Sequence, residues 1–289
     1  MAFFRVTTPE TSTSWLAHSA SNAGSASCTA PMNSTLAMER NSTQVLWPTA
    51  RIRRGSTKRN TPLHERAIAA LCLAASAPVL AVASAFIRRQ SPGGPVLYRA
   101  ERVGRGGRHF TMYKLRTMHV MPPNAPRLTA RHDPRVFPAG RILRSTKVDE
   151  LPQLWNVLNG DMRFFGPRPE DPAIVHNCYE PWMLESLDVP PGIVGPGSLS
   201  YFEDESRIPS DPGEAEHYYV TVQLPRKIAR DLAYVRRRTP AYDLALAVRT
   251  VLGILGIRSQ SFKSVRLETA TEEQVLGAVR SRPGSSLPG

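Results

Sequence analysis

Apolar and polar positions divide this chain into stretches of different character. The longest uncharged run, Ala67–Ile87, reads AIAALCLAASAPVLAVASAFI. Its length suffices to cross a bilayer core of about 30 Å. Pro78 stands at its middle, where it removes a backbone donor and kinks or breaks a helix. Basic residues flank both ends, Arg59 and Arg66 before, Arg88 and Arg89 after, whereas a spanning helix concentrates them on one side. A helix that enters the membrane, bends at Pro78 and returns to the same face satisfies both observations. A buried Ala-rich helix of a soluble domain and a straight span are the competing readings.

From Pro95 the pattern changes. VLYRAERVG, the glycines at 104, 106 and 107, and HFTMYKLRTM predict two strands joined as a hairpin. Lys114 and Arg116 fall at i, i+2 on the second strand, which predicts that both cations share a face. Residues 119–133 are Pro-rich and aperiodic, a loop. Leu151, Leu154, Trp155 and Leu158 then recur at helical spacing, and Asn159-Gly160 ends that helix. Asp149 is its expected N-cap, or the acid of a capping box if the cap moves back to Thr146. PPGIVGPGSLS, from Pro190, is a predicted loop. Two helices follow, Lys227–Arg238 and Tyr242–Ile257, each with an apolar face suited to a core or to a membrane interface. The first 60 residues show no period and are expected to be a disordered extension, and the tail is expected to be frayed after about residue 270.

The predicted fold is thus α+β and mainly helical: a small β-hairpin with surrounding helices, a proline-broken re-entrant membrane helix and amphipathic interface helices. Its expected segments are the extension (1–60), the membrane helix (61–90), a catalytic domain (91–258) and the tail (259–289).

Charge adds a partner class. The net charge is +13, which suits nucleic acid, an anionic membrane face or phosphate-bearing substrates. Three widely spaced cysteines without a C-x-x-C pair, and seven histidines without H-E-x-x-H spacing, offer no structural zinc site. The stretch RSTKVDELPQLWNVLNGDMRFFGPRP, Arg144–Pro169, carries the candidate chemistry. Lys114, Arg116, Arg144, Arg168 and a helix N-terminus are together suited to hold a phosphate or diphosphate. Asp149 and Glu150 project into that positive site. A carboxylate beside bound phosphate calls for a divalent cation, and Mg²⁺ is held by one or two carboxylates plus substrate phosphates. One acid is then suited to attack phosphorus and the other to hold the metal.

GPVLYRAERVGRGGRHFTMYKLRTM, followed by HDPRVFPAGRILRSTKVDELPQLWNVLNGDMRFFGPRP, resembles the bacterial sugar transferase family, the monotopic polyprenyl-phosphate hexose-1-phosphate transferases that begin surface-glycan assembly. The resemblance covers roughly residues 60–257. It implies transfer of a sugar-1-phosphate from a UDP-sugar to undecaprenyl phosphate, with UMP released, at the cytoplasmic face of the bacterial inner membrane among membrane lipids. It further implies Asp149 as the nucleophile of a covalent phospho-sugar intermediate. Glu150 is implied as its partner in handling Mg²⁺ and phosphate, and Arg168 as a phosphate contact. Lys114, Arg116 and Arg144 match basic positions of the family, and Pro78 its helix-breaking proline. Ala77 stands where a serine often precedes that proline, so a hydroxyl–backbone bond at the bend is expected to be missing. Gly195-Pro196-Gly197-Ser198 replaces a frequent Gly-Trp-Ala-Gln segment, which leaves substrate choice open. Two other classes remain in view: a nucleic-acid-binding protein, for which no recognised arrangement is found, and a membrane scaffold without catalysis.

Overall fold

The computed structural model describes residues 61–120, 133–199, 209, 211–255 and 263–281. The expected extension over 1–60 lies outside the described residues. The uncharged run becomes α1, Leu63–Gln90, a single helix that passes through Pro78 without interruption. The expected break at Pro78 is therefore corrected: the proline deletes one ladder bond from a long helix whose two halves are each held by packing. Ala77 brings no hydroxyl to this turn, and Ser76 Oγ donates to the Leu73 carbonyl at 2.9 Å, one residue before the Ala74 carbonyl that Pro78 leaves without its helical donor.

α1 packs lengthwise on the rest of the chain. Glu65, Ala69, Ala83 and Ile87 are buried, with Leu73, Ser76 and Leu80 partly so between them. This spacing of three and four residues is one stripe of a helix. The other faces leave Leu63, Ile68, Leu71, Val79, Val82 and Phe86 exposed.

The predicted hairpin forms as β1, Leu97–Val103, antiparallel to β2, His109–Leu115. Ala100 faces Met112, and both are buried against Ala69 of α1 and against Leu154 and Val157 of α3, Gln153–Asn159. A second cluster places Ala83 and Ile87 against Leu115, Phe137 and Leu143, the last on α2, Pro138–Ser145. Both halves of α1 thus belong to the core of the folded body. Polar bonds staple its first turns as well: Thr61 Oγ1 donates to Met162 O at 2.6 Å, Arg66 Nε to Leu158 O at 2.7 Å, and Arg163 pairs with Glu65.

α3 buries a different face from the expected one. Gln153 and Asn156 are fully buried beside Leu154 and Val157, whereas Trp155 is 47% exposed. Asn156 explains the swap, because its amide bonds the edge of β2, donating to Thr111 O at 2.6 Å and accepting from Tyr113 N at 3.1 Å. A side-chain amide here replaces a missing strand neighbour.

The predicted loop after Pro190 contains a short strand, β4, Gly192–Val194, parallel to β3, Arg163–Phe165. Glycine permits the close approach: a Cβ on Gly192 would lie 2.1 Å from Gly166 N, and one on Gly195 2.3 Å from Gly166 O. Further along, α4 (Pro172–Cys178), α5 (Pro212–Tyr218), α6 (Leu224–Arg237) and α7 (Pro240–Ile254) complete the body. α6 buries Leu224, Ile228 and Leu232 against Val175 and Met183. α7 buries Leu246 and Tyr242 but exposes Leu244, Val248 and Val251 in a row.

The expected tail is corrected in part. Lys263–Arg280 is a helix, α8, joined to α6 and α7 through Glu272 with Arg226 and Arg230, and Glu268 with Arg249 and Tyr242. Its buried contacts are ion pairs, which an apolar period does not reveal.

Candidate active site

β2 ends at Leu115, and its last inward cation is Lys114. Lys114 shares a face with buried Met112, which aims it at the turn Val148–Glu150 that leads into α3. That turn is a 3₁₀ segment in which Asp149 and Glu150 are both buried. Neither carboxylate caps α3, whose cap position is Pro152 without a side-chain bond. The expected N-cap role of Asp149 is therefore corrected, because the chain takes its 3₁₀ turn before the helix starts.

Glu150 Oε1 gathers three cations: Arg168 Nη2 at 2.9 Å, Lys114 Nζ at 3.2 Å and Lys147 Nζ at 3.7 Å. Burial alone would raise Glu150, but Arg168, Lys114 and Lys147 outweigh it and hold the carboxyl well below the usual range. Burial and the Arg168 charge lower Lys114 to about 8. Asp149 moves the other way. Burial pushes its carboxyl up and Glu150 adds to this, against the pull of Lys114, Lys147 and Arg144. Its Oδ1 is buried without a hydrogen-bond partner. Two neighbouring carboxylates thus stand in opposite states of compensation, one saturated with cations and one with an oxygen still to be used.

The structure brings together Asp149, Glu150, Lys114 and Arg168, with Arg144 at the last turn of α2 close enough to act on Asp149. It does not bring Arg116. That residue lies one position beyond β2 and turns away, donating to Ser91 O at 2.6 Å, Ser91 Oγ at 2.5 Å and Pro95 O at 2.7 Å. Arg116 secures the exit of α1, and the i, i+2 argument fails because the strand stops before it.

Mg²⁺, which the resemblance implies, finds a partial donor set. Groups of three or more acidic, His or Cys ligands are absent among the described residues. Asp149 Oδ1 fits a hard cation that draws its remaining ligands from substrate phosphates and water. Glu150 Oε1 does not, since three protein cations already converge on it.

Two site residues escape the sequence reading. One is Lys147, between the matched basic positions. The other is Asp231 of α6, fully buried, which accepts from Gly197 N at 2.9 Å. It joins the Gly195–Ser198 loop to the Arg168 segment. Burial pushes its carboxyl up to about 7, against the pull of Lys227 and of the Gly197 and Arg168 amides. Because this pKa is raised above the unfolded one, the proton it holds favours the folded state at low pH, and that contribution is lost as pH rises toward 7. We expect the thermal midpoint to fall between pH 5 and pH 8. Asp231→Asn should flatten that slope, removing up to about 3 kcal/mol of dependence over that range. Parallel slopes for both proteins would show that Asp231 does not titrate in this range.

The bacterial sugar transferase family model matches residues 57–256. A UDP-glucose:undecaprenyl-phosphate glucose-1-phosphate transferase from Caulobacter vibrioides is 39% identical over 193 residues, 65% of this chain and 66% of that protein. An Escherichia coli protein of the same description is 34% identical, over 64% of this chain and 38% of its own length. An undecaprenyl-phosphate galactose phosphotransferase from Salmonella typhimurium is 36% identical, over 41% of this chain and 29% of that protein. The chain thus spans at most about two thirds of these relatives, and the matched span contains the hairpin, the acidic turn and the Gly166–Pro169 segment. This chain belongs to the bacterial sugar transferase family.

Proposed function

We propose that the protein transfers a sugar-1-phosphate from a UDP-sugar to undecaprenyl phosphate. The observation that carries this reading is Asp149, buried beside Glu150 among Lys114, Lys147, Arg144 and Arg168, with Oδ1 unpartnered. A carboxylate so placed is suited to displacement at phosphorus. A carboxylate oxygen of Asp149 forms a bond to the sugar-bearing phosphorus of the nucleotide sugar, and the diphosphate bond to UMP breaks. An oxygen of undecaprenyl phosphate then bonds that phosphorus, and the acyl phosphate bond breaks to restore Asp149. Arg168 and Lys114 hold the charged oxygens through both steps. Bound Mg²⁺ supplies additional neutralisation of phosphate charge.

The sugar stays unassigned, because the relatives' printed names differ between glucose, galactose and N-acetylgalactosamine. UMP release by membrane fractions, screened across UDP-sugars, tests the reading. Release beyond one equivalent per protein should require one UDP-sugar together with undecaprenyl phosphate and Mg²⁺. Continued turnover without the lipid phosphate, or release from no UDP-sugar, would refute it.

α1 is long and apolar enough to cross a membrane. We read it nonetheless as lying along the cytoplasmic face of the bilayer, with both ends on that side. A helix packed along its length on the catalytic body keeps both ends with that body, and α7 adds an apolar row for the same surface. Cysteines at positions 63 and 89, in a chain without its native cysteines, should both be labelled only from the cytoplasm. Labelling from opposite sides would restore a span.

A further inference from the structure

Lys147 is the single non-glycine residue with positive φ among the described residues, at φ 59° and ψ 14°. It follows Thr146, the residue that closes α2, and its N–H donates to Arg144 O at 3.3 Å. This is the position after a helix where glycine is favoured, since a Cβ is strained in the left-handed region. A lysine there costs on the order of 1 kcal/mol relative to glycine.

Local stability offers a partial reason for a lysine, because a cation near a helix C-terminus meets favourable carbonyl dipoles. The direction of the side chain argues for more. Its ammonium enters the site, 3.7 Å from Glu150 Oε1, although Arg168 and Lys114 already satisfy that oxygen at shorter range. Asp149 and Glu150 are two carboxylates facing four cations, Lys114, Lys147, Arg144 and Arg168. Cations gather here at short range in a half-buried site where like charges repel, and phosphate oxygens are suited to such a group.

We propose that Lys147 is a substrate-binding residue whose ammonium holds a phosphate of the nucleotide diphosphate, delivered to the site by the strained turn after α2. The proposal rests on the reading of the protein as a nucleotide-sugar phosphotransferase. On substrate arrival Lys147, the most distant of the three cations on Glu150, exchanges that carboxylate for a phosphate oxygen.

The test compares Lys147→Gly, Lys147→Asn and Lys147→Arg with the unaltered chain. Thermal midpoints, KM for the UDP-sugar and binding of UDP alone are measured in detergent. Glycine and asparagine tolerate the left-handed turn, so both variants should keep or raise the midpoint. Both should raise KM and weaken UDP binding by roughly tenfold, the effect of losing one charge-assisted bond. Lys147→Arg should recover UDP binding to within about threefold while keeping the strained turn. Unchanged KM and UDP binding in Lys147→Gly would overturn the proposal and leave Lys147 as a helix terminator. Failure of the unaltered chain to bind UDP at all would instead overturn the functional reading on which the proposal stands.

Discussion

Asp149→Asn should reduce UMP release to background, a loss on the order of 10³-fold or more, as expected when a covalent nucleophile is removed. Asparagine keeps the shape and the Oδ1 position but not the negative charge. Since burial works against the charged form of Asp149, the variant should fold as well as the parent or better, which separates lost chemistry from lost structure. A second readout is direct. With UDP-sugar and no lipid acceptor, the unaltered chain should retain labelled sugar phosphate after denaturation, and Asp149→Asn should not. Turnover at the parental rate in Asp149→Asn would end the assignment of Asp149 as nucleophile.

Glu150→Gln has the opposite balance. Glu150 is 8% exposed and its Oε1 is shared by Arg168, Lys114 and Lys147. Glutamine leaves three half-buried cations facing one another with Asp149 as the one remaining carboxylate of the turn. Breaking a buried ion pair from one side costs about 3–5 kcal/mol, so the thermal midpoint should drop by several degrees even though the substitution is nearly isosteric. The pH dependence has a definite sign. The folded pKa of Glu150 lies well below its ordinary value, so its stabilisation is present above roughly pH 4.5 and is lost as pH falls through the folded value. Destabilisation by Glu150→Gln should accordingly be large at pH 7 and shrink in acid. Equal midpoints at pH 7 would mean that the three cations need no counter-ion.

Much of this architecture was readable from residue order, and the exceptions have physical causes. The hairpin announced itself through alternation around a Gly-rich turn, and α6 and α7 through their apolar spacing. β3 and β4 are three residues each, too short for any alternation to register, and depend on the close contact of Gly166 with Gly192. α8 hides because the residues it buries are polar, Glu268, Thr271 and Glu272. In the site, Asp149, Glu150, Lys114 and Arg168 were legible as residue types and do converge. Arg116 was misplaced because spacing alone does not reveal where a strand stops. Lys147 gave only a weak signal, a lysine among basic positions, and its left-handed backbone is invisible in the letters. Asp231 lies 63 residues beyond Arg168, in a helix whose sequence shows only one more charge among many; contact with Gly197 exists only after folding.

The lengthwise packing of α1 bears on how this protein can be taken apart. Ala69 and Ile87 complete the same clusters that hold Leu154, Val157, Phe137 and Leu143, while Thr61, Glu65 and Arg66 close the ends of α3 and β3. The apolar segment is therefore an integral wall of the folded body rather than a removable tether. A fragment beginning after Gln90 would expose the floor of the hairpin and the back of α3, the surface that backs the acidic turn. Raising solubility is thus a matter of covering or substituting the outward apolar positions of α1, such as Leu71 and Val82, and not of cutting the helix away.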